Sequence, residues 1–269
     1  MDKFDIIVLG GQSNASGTGI GDVTREYVPN ERILFFTDFA TPSFVRVDGV
    51  ITLKMQNQEQ NQIVVADEPI KKGNKTGNLS LTFAERYVKE YLAPDRKLLI
   101  VNAGVGGAGF ARPEWGVGNI LHTRMMNMTK EALATNPENR IVAFLWHQGE
   151  HDAFENAEWD VEKRYRVHKK NLTDTLNDFY ATAGDPADIP FIAAGFCDEW
   201  YLTSKVSADA VLQAIRECCT EFKGGFVETT GLISNNQKTG NGDGIHFCRE
   251  SLHILGELYF DEYVKLRKN

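Results

Sequence analysis

Four short runs in this chain set nucleophilic, basic and amide side chains beside glycines. The first is Gly10-Gly11-Gln12-Ser13-Asn14, directly after the apolar run Asp5–Leu9. A serine on a tight glycine turn at a strand end projects its hydroxyl where a base can take its proton. Read alone, the run is equally well a polar turn. It does not form a G-x-S-x-G elbow, because Ala15 stands where that turn needs glycine. The second run is Asp243-Gly244-Ile245-His246. In a turn, i to i+3 spacing puts both side chains on one side, so Asp243 can hold Nδ1 of His246 and leave Nε2 facing a serine. Alone this is a surface Asp-Gly turn beside a structural histidine. Paired with the first run, it supplies the base and the orienter that a serine nucleophile needs.

The third run, Asn102-Ala103-Gly104-Val105-Gly106-Gly107-Ala108-Gly109, formally satisfies G-x-G-x-x-G. The context of a dinucleotide site is missing. Phe110-Ala111-Arg112-Pro113-Glu114-Trp115 does not open a helix, and the next acid, Glu131, falls in a helical pattern. The better reading is a turn whose exposed N–H groups can point at a developing oxyanion. The fourth run is Trp146-His147-Gln148-Gly149-Glu150-His151-Asp152. His147, Glu150 and His151 match H-x-x-E-H, which would bind zinc if both histidines shared a helix face. Here the run follows a β-patterned segment and contains Gly149, so a zinc-dependent hydrolase is a minor alternative. Gln148, at a strand end, offers an amide donor suited to an oxyanion hole.

The elements that must position these runs alternate. Strands are expected at Asp5–Leu9, Ile33–Phe36, Lys97–Asn102, Arg140–Leu145, Pro190–Gly195 and Gly225–Thr229, most of them continuously apolar, as in a parallel sheet covered on both faces. Helical stripes lie between: Phe83, Ala84, Tyr87, Val88 and Tyr91 after a Ser80 cap; Val161, Tyr165, Leu172, Leu176 and Phe179; and Val211, Leu212, Ile215 and Cys218 after a Ser207 cap. Leu252, Leu255, Leu258 and Tyr259 form a last stripe. Strand alternating with helix means βαβ units and a single three-layer α/β/α sandwich with a mainly parallel central sheet. Residues 48–78, rich in Gln, Asn, Lys and Gly, break the rhythm. With strand-like pieces at Val50–Met55 and Gln62–Ala66, they read as a surface hairpin or long loop of the same domain, which spans 1–269.

With 269 residues, 42% hydrophobic and 25% charged, the composition is that of a globular protein with a sizeable core. A net charge of −8 argues against nucleic acid or an anionic membrane as partner. The run Ile6–Leu9 is too short for a signal segment, and no stretch approaches the roughly 20 apolar residues that span a bilayer. Cys197, Cys218, Cys219 and Cys248 show no metal-ligand spacing, so reduced thiols and a cytoplasmic location are expected.

In their order along the chain, Gly11-Gln12-Ser13-Asn14, the Asn102–Gly107 turn, Trp146-His147-Gln148-Gly149-Glu150 and Asp243-Gly244-Ile245-His246-Phe247 resemble the SGNH-hydrolase superfamily. Within it they are most similar to carbohydrate esterase family 6 and the sialate O-acetylesterase-like group, which includes acetylxylan esterases. Weaker matches at Ala66-Asp67-Glu68-Pro69 and Leu81-Thr82-Phe83-Ala84 extend the resemblance over essentially the whole chain. It implies an esterase that removes acetyl or other short acyl groups from a carbohydrate, with Ser13 as nucleophile, His246 as general base and acid, and Asp243 as its orienter. The oxyanion hole would be the Ser13 N–H, an N–H from Gly106 or Gly107, and the Gln148 amide. Gln12 and Asn14 would support the nucleophile; Glu150 could orient an active-site group or bind sugar hydroxyls. Trp115, Phe110 and Trp200 could stack on sugars, and Arg112 could meet a sugar carboxylate. No metal or organic cofactor is implied, and the expected partner is an acetylated sugar or oligosaccharide. The alternative from another class is a sugar-binding module that has lost catalysis, against which stands the presence of all three triad residues.

Overall fold

The computed structural model describes residues 2–268. From the N-terminal side come β1 (Lys3–Gly11), the one-turn helix α1 (Ser13–Ser16) and β2 (Ile33–Thr37). The polar segment then holds β3 (Thr41–Val47), β4 (Val50–Gln56), β5 (Gln62–Val65), β6 (Ile70–Lys71) and β7 (Asn74–Lys75). After α2 (Leu79–Glu90) the alternation is regular: β8 (Arg96–Asn102), α3 (Ile120–Ala134), β9 (Arg140–His147), α4 (Glu150–Phe154), α5 (Val161–Ala183) and β10 (Phe191–Ala194). The rest is α6 (Asp198–Thr203), α7 (Lys205–Glu221), β11 (Gly225–Val227), α8 (Asn235–Thr239) and α9 (Arg249–Lys268).

Seven strands form one sheet in the order β11-β10-β9-β1-β8-β2-β5. Every pairing is parallel except β2 with β5. The alternation of apolar strands and amphipathic helices therefore yields the mainly parallel sheet it predicts. Side chains alternate across each strand, so consecutive residues of β1 serve opposite faces. Ile6 and Val8 pack with Leu99, Val101 and Phe144 beneath Met125 of α3, Leu172 of α5 and Val211 of α7. Ile7 and Leu9 pack with Leu98, Ile100 and Leu145 beneath Leu79 and Phe83 of α2 and Leu252 and Tyr259 of α9.

β1 lies between β8 and β9, and the chain builds one half of the sheet on each side of it. That makes β1 the switch point, where connections leave for opposite sides and a crevice opens at the strand carboxyl ends. The residues that follow β1, β8 and β9 must meet there.

The structure differs from the pattern reading in a few places. β9 runs on through Trp146 and His147, which pair with Gly10 and Gly11, so the motif begins inside the sheet. Within residues 48–78 a surface hairpin does form, but it begins earlier, with β3, whose exposed, Pro-containing pattern has no buried face to signal a strand. β5, expected within the surface segment, instead closes the main sheet as an antiparallel edge, with its apolar Ile63 and Val65 left exposed. The cap of α2 is Asn78, whose side chain accepts from Ser80 N at 2.9 Å, and α7 starts at Lys205, which leaves Ser207 inside it. All four cysteines are buried and free. Among the described residues no helix is long and apolar enough to cross a membrane.

A buried carboxylate ties the polar segment to α9. Glu68 receives Arg249 Nε at 2.9 Å and His253 Nε2 at 2.8 Å, and Arg249 also reaches Glu26. Burial pushes the Glu68 carboxyl up, but the bonds from His253 and Arg249 outweigh it and hold its pKa at about 2. A depressed carboxylate contributes stability that is complete above its unfolded value, about 4.5, and is lost as pH falls toward about 2. Urea midpoints near neutrality and near pH ~3 should therefore fall more in the unaltered protein than in Glu68→Gln. Equal falls would show that the network does not carry acid sensitivity.

Candidate active site

The turn after β1 is forced by close approach. A Cβ at Gly11, where φ is +135°, would stand 2.1 Å from the His147 carbonyl oxygen, and Gln12 N donates to that oxygen at 2.9 Å. Only glycine lets β1 and β9 stay this close while the chain turns. Ser13 follows at once, starting α1.

His246 arrives from the loop between α8 and α9. Its Nε2 lies 2.8 Å from Ser13 Oγ, and its Nδ1 lies 2.8 Å from Asp243 Oδ2. An ionised carboxylate only accepts, so Nδ1 carries the hydrogen and Nε2 accepts from the serine hydroxyl. Burial pushes Asp243 up, but the hydrogen bonds from His246 and Asn235 prevail and hold it below the usual carboxylate range. Asn235, buried at the start of α8, donates to Asp243 Oδ2 at 2.9 Å and to Thr18 O at 3.2 Å. Nothing in its polar surroundings marks it in the sequence.

Asn14 holds the histidine loop from below. Its Oδ1 accepts from Phe247 N at 3.1 Å and its Nδ2 donates to Glu150 Oε1 at 2.7 Å. Glu150 is wholly buried, and His147 Nε2 stands 3.4 Å from the same oxygen. Burial raises the Glu150 carboxyl, yet its bonds from His147 and Asn14 leave it lowered overall. An acceptor-only partner fixes which end of the Asn14 amide faces which way. Buried and engaged by Asn14 and His147, Glu150 is placed to hold Asn14 rather than to meet a ligand in the open cavities.

Gly106 lies against the serine, since a Cβ there would be 3.3 Å from Ser13 Cβ. Gly107 sits under Phe44, and its carbonyl accepts from Arg112 Nη2 at 2.5 Å. Gln148 follows β9 and is 2% exposed. Gln12 Oε1 accepts from His151 N at 3.1 Å, so this side chain braces α4.

Other expected contacts are not brought together. Trp115 has no exposed surface and packs edge-on against Trp146, so its face is closed to a sugar. Phe110 is buried, stacked on Trp146, and half-buried Trp200 packs against Phe196 and Phe154. Arg112 is already engaged by Gly107 O, Glu114 and the Phe44 ring, which removes it as a ready carboxylate partner. His147 lies in β9 and faces Tyr259, whereas His151 lies in α4 beside Glu155. Among the described residues no three His, Cys, Asp or Glu side chains converge to hold a metal.

Two cavities open on the site. One, about 820 Å³, runs from Gly104 and Gly106 along Phe35, Phe39 and Phe44. The other, about 630 Å³, holds His246 and Asp243 opposite Lys71, Lys72 and Lys75. Lys71 lines both. The arrangement joins an addressable hydroxyl, a base with its orienter, and candidate donors for a developing oxyanion, which is the equipment of acyl transfer.

A family model described as "Carbohydrate esterase, sialic acid-specific acetylesterase" matches residues 3–265. A probable 9-O-acetyl-N-acetylneuraminic acid deacetylase of Escherichia coli K12 is 22% identical over 227 residues, covering 74% of this chain and 68% of that one. The crystal structure of NanS superposes with a TM-score of 0.73 at 17% identity, covering 99% of this chain and 98% of the other. A protein of Arabidopsis thaliana superposes at 0.66, with 20% identity over 97% of this chain and 98% of its own. A carbohydrate acetylesterase of Xanthomonas citri gives 0.60 at 15% identity, covering 95% of this chain and 55% of that one. These structures share the fold.

Removing the Asn14 amide should leave His246 attached but misplaced. Asn14→Ala is expected to lower kcat for ester hydrolysis about 10²-fold, the scale of a small misplacement of a reacting group, with KM little changed. Steady-state kinetics on an aryl acetate checks this; a kcat equal to that of the unaltered protein would dismiss the clamp.

Proposed function

The chain belongs to the sialic acid-specific acetylesterase family of carbohydrate esterases, and on that premise we propose that it removes O-acetyl groups through a serine acyl-enzyme built on Ser13, His246 and Asp243. The observation that carries this reading is the unbroken path from Asp243 through His246 to the Ser13 hydroxyl, each step 2.8 Å. As Ser13 Oγ attacks the ester carbonyl, His246 takes its proton and Asp243 stabilises the imidazolium. The oxyanion is met by the N–H groups of Ser13 and Gly106 and the Gln148 amide. The tetrahedral intermediate then expels the sugar hydroxyl, which leaves with the proton from His246. Water, deprotonated by His246, releases acetate and restores the serine.

For substrate we propose an O-acetylated acidic sugar of the sialate type, the class named for the Escherichia coli relative. Support comes from charge. In a chain of net charge −8, Lys71, Lys72 and Lys75 collect in the cavity wall facing His246. Lys75 is paired with Asp67 at 3.0 Å, which leaves Lys71 and Lys72; of these Lys71 lines both cavities, and we take it as the cation for a substrate carboxylate.

Ser13→Ala should abolish acetate release from acetylated sialate and from an aryl acetate, while Gln148→Ala should lose about 10²–10³ in kcat. Near-normal turnover by Ser13→Ala would refute the scheme. Lys71→Ala should raise KM for acetylated sialate about tenfold, the scale of one charge-assisted hydrogen bond, and leave a neutral acetylated xylo-oligosaccharide unaffected. Equal KM changes for both sugars would remove the acidic-sugar reading and leave the serine mechanism standing.

A further inference from the structure

Behind Gln148 lies a buried polar cluster that the mechanism above does not use. Asp152, on α4, is 2% exposed and accepts three hydrogen bonds. Gln148 Nε2 donates to its Oδ2 at 2.9 Å, His168 Nδ1 stands 2.9 Å from the same oxygen, and Ala111 N donates to Oδ1 at 2.8 Å. A Cβ at Gly109 would stand 2.2 Å from Asp152 Oδ1 and 3.0 Å from Gln148 Nε2, so the glycine turn presses directly on both. The Asp152 carbonyl is itself gripped by Arg164 Nη1 at 2.7 Å. His168, fully buried on α5, meets the Phe110 ring edge-on at 5.2 Å.

We infer that Asp152, hydrogen-bonded to His168, is a positioning residue that sets the oxyanion hole by holding the Gln148 amide and the glycine turn in one register. The inference rests on the reading of Gln148 as an oxyanion donor. A primary amide has a donor end and an acceptor end of nearly equal shape, and a wrong flip would aim a carbonyl oxygen at the developing negative charge. An ionised carboxylate accepts and never donates, so it admits only the orientation with Nε2 toward it. One N–H then goes to Asp152 and the other remains for the oxyanion. A protonated Asp152 would lose this discrimination, because its O–H could donate to Gln148 Oε1. The His168 N–H disfavours that protonation by hydrogen-bonding the charged form. The second oxygen of Asp152 takes Ala111 N, just past the turn that carries Gly106, so backbone and side-chain donors share one reference point.

The test is a double-mutant cycle on acetyl-ester hydrolysis with Gln148→Ala, Asp152→Asn and the double variant, with His168→Phe carried in parallel in both backgrounds. Asp152→Asn should lower kcat about 10²-fold, within the loss expected of Gln148→Ala, with KM near that of the unaltered enzyme. In the Gln148→Ala background it should cost less than about 3-fold further, because the group it positions is gone. His168→Phe should repeat the pattern with a smaller first step, and decides the matter should Asp152→Asn not fold. Losses that simply multiply would assign the cluster to general structure and overturn the inference. A crippled Gln148→Ala beside a normal folded Asp152→Asn would overturn it and spare the reading of Gln148. A normal Gln148→Ala would remove that reading, and the inference with it.

Discussion

Ser13 and His246 are 233 positions apart in the chain and 2.8 Å apart in space, and the proposed mechanism depends on that one hydrogen bond. A serine hydroxyl is a poor nucleophile until a base touches it, and a fraction of an ångström decides whether one does. The fold meets the constraint by giving each partner a short, rigid approach. Ser13 comes two residues after the end of the central strand of a mainly parallel sheet, on a turn whose geometry Gly11 alone permits. His246 sits on a loop, but one pinned at Phe247 by Asn14, at Asp243 by Asn235, and at Arg249 by Glu68. The half of the pair that comes from a loop is thus braced at three points.

The bracing has a recurring chemistry. Glu150 and Asp152 stand two residues apart on the one-turn helix α4, both buried, and each receives the N–H₂ group of a primary amide. Placing an ionised carboxylate in the interior is costly, and each is kept charged by a histidine and by amide donors. What the fold obtains is directionality. Asn and Gln side chains can otherwise turn over with little change of shape, and an acceptor-only neighbour removes one of the two states. α4 is short and weakly supported by its own backbone, so Gln12 and Arg164 hold it from either side.

Ser13, His246, Asp243 and Gln148 stand out in the sequence as candidates because each leaves a local mark: a glycine turn after an apolar run, an Asp-x-x-His spacing, or an amide at a strand end; the fold brings the first three into hydrogen-bond contact. The sheet is legible for a similar reason, since strands buried on both faces must be continuously apolar. Asn235 and His168 leave no such mark, and Asp152, although it ends the fourth run, has nothing there to set it apart. Their roles arise from contacts between elements, and a lone Asn or His in a polar or helical stretch has the same composition whether or not it meets a carboxylate. The same holds for Trp115 and Arg112, whose residue types suit a sugar but whose neighbours have already claimed them. β3 escapes detection because a hairpin strand with no buried face needs no apolar run, whereas β5, strand-like in the sequence, carries no mark of its place at the edge of the main sheet.

The central place of β1 also shapes the order of events when the chain is made. The strand is synthesised early, yet its neighbours in the sheet, β8 and β9, begin at residues 96 and 140. At about 5–20 residues per second, β1 waits roughly 4–17 s for its first edge to be covered and longer for the second. For that interval a run of buried-type residues with both edges open is at risk of pairing with the wrong chain. Under the proposed mechanism the same delay would keep the nascent polypeptide chemically silent, because the serine meets its imidazole only after some 230 further residues have been added.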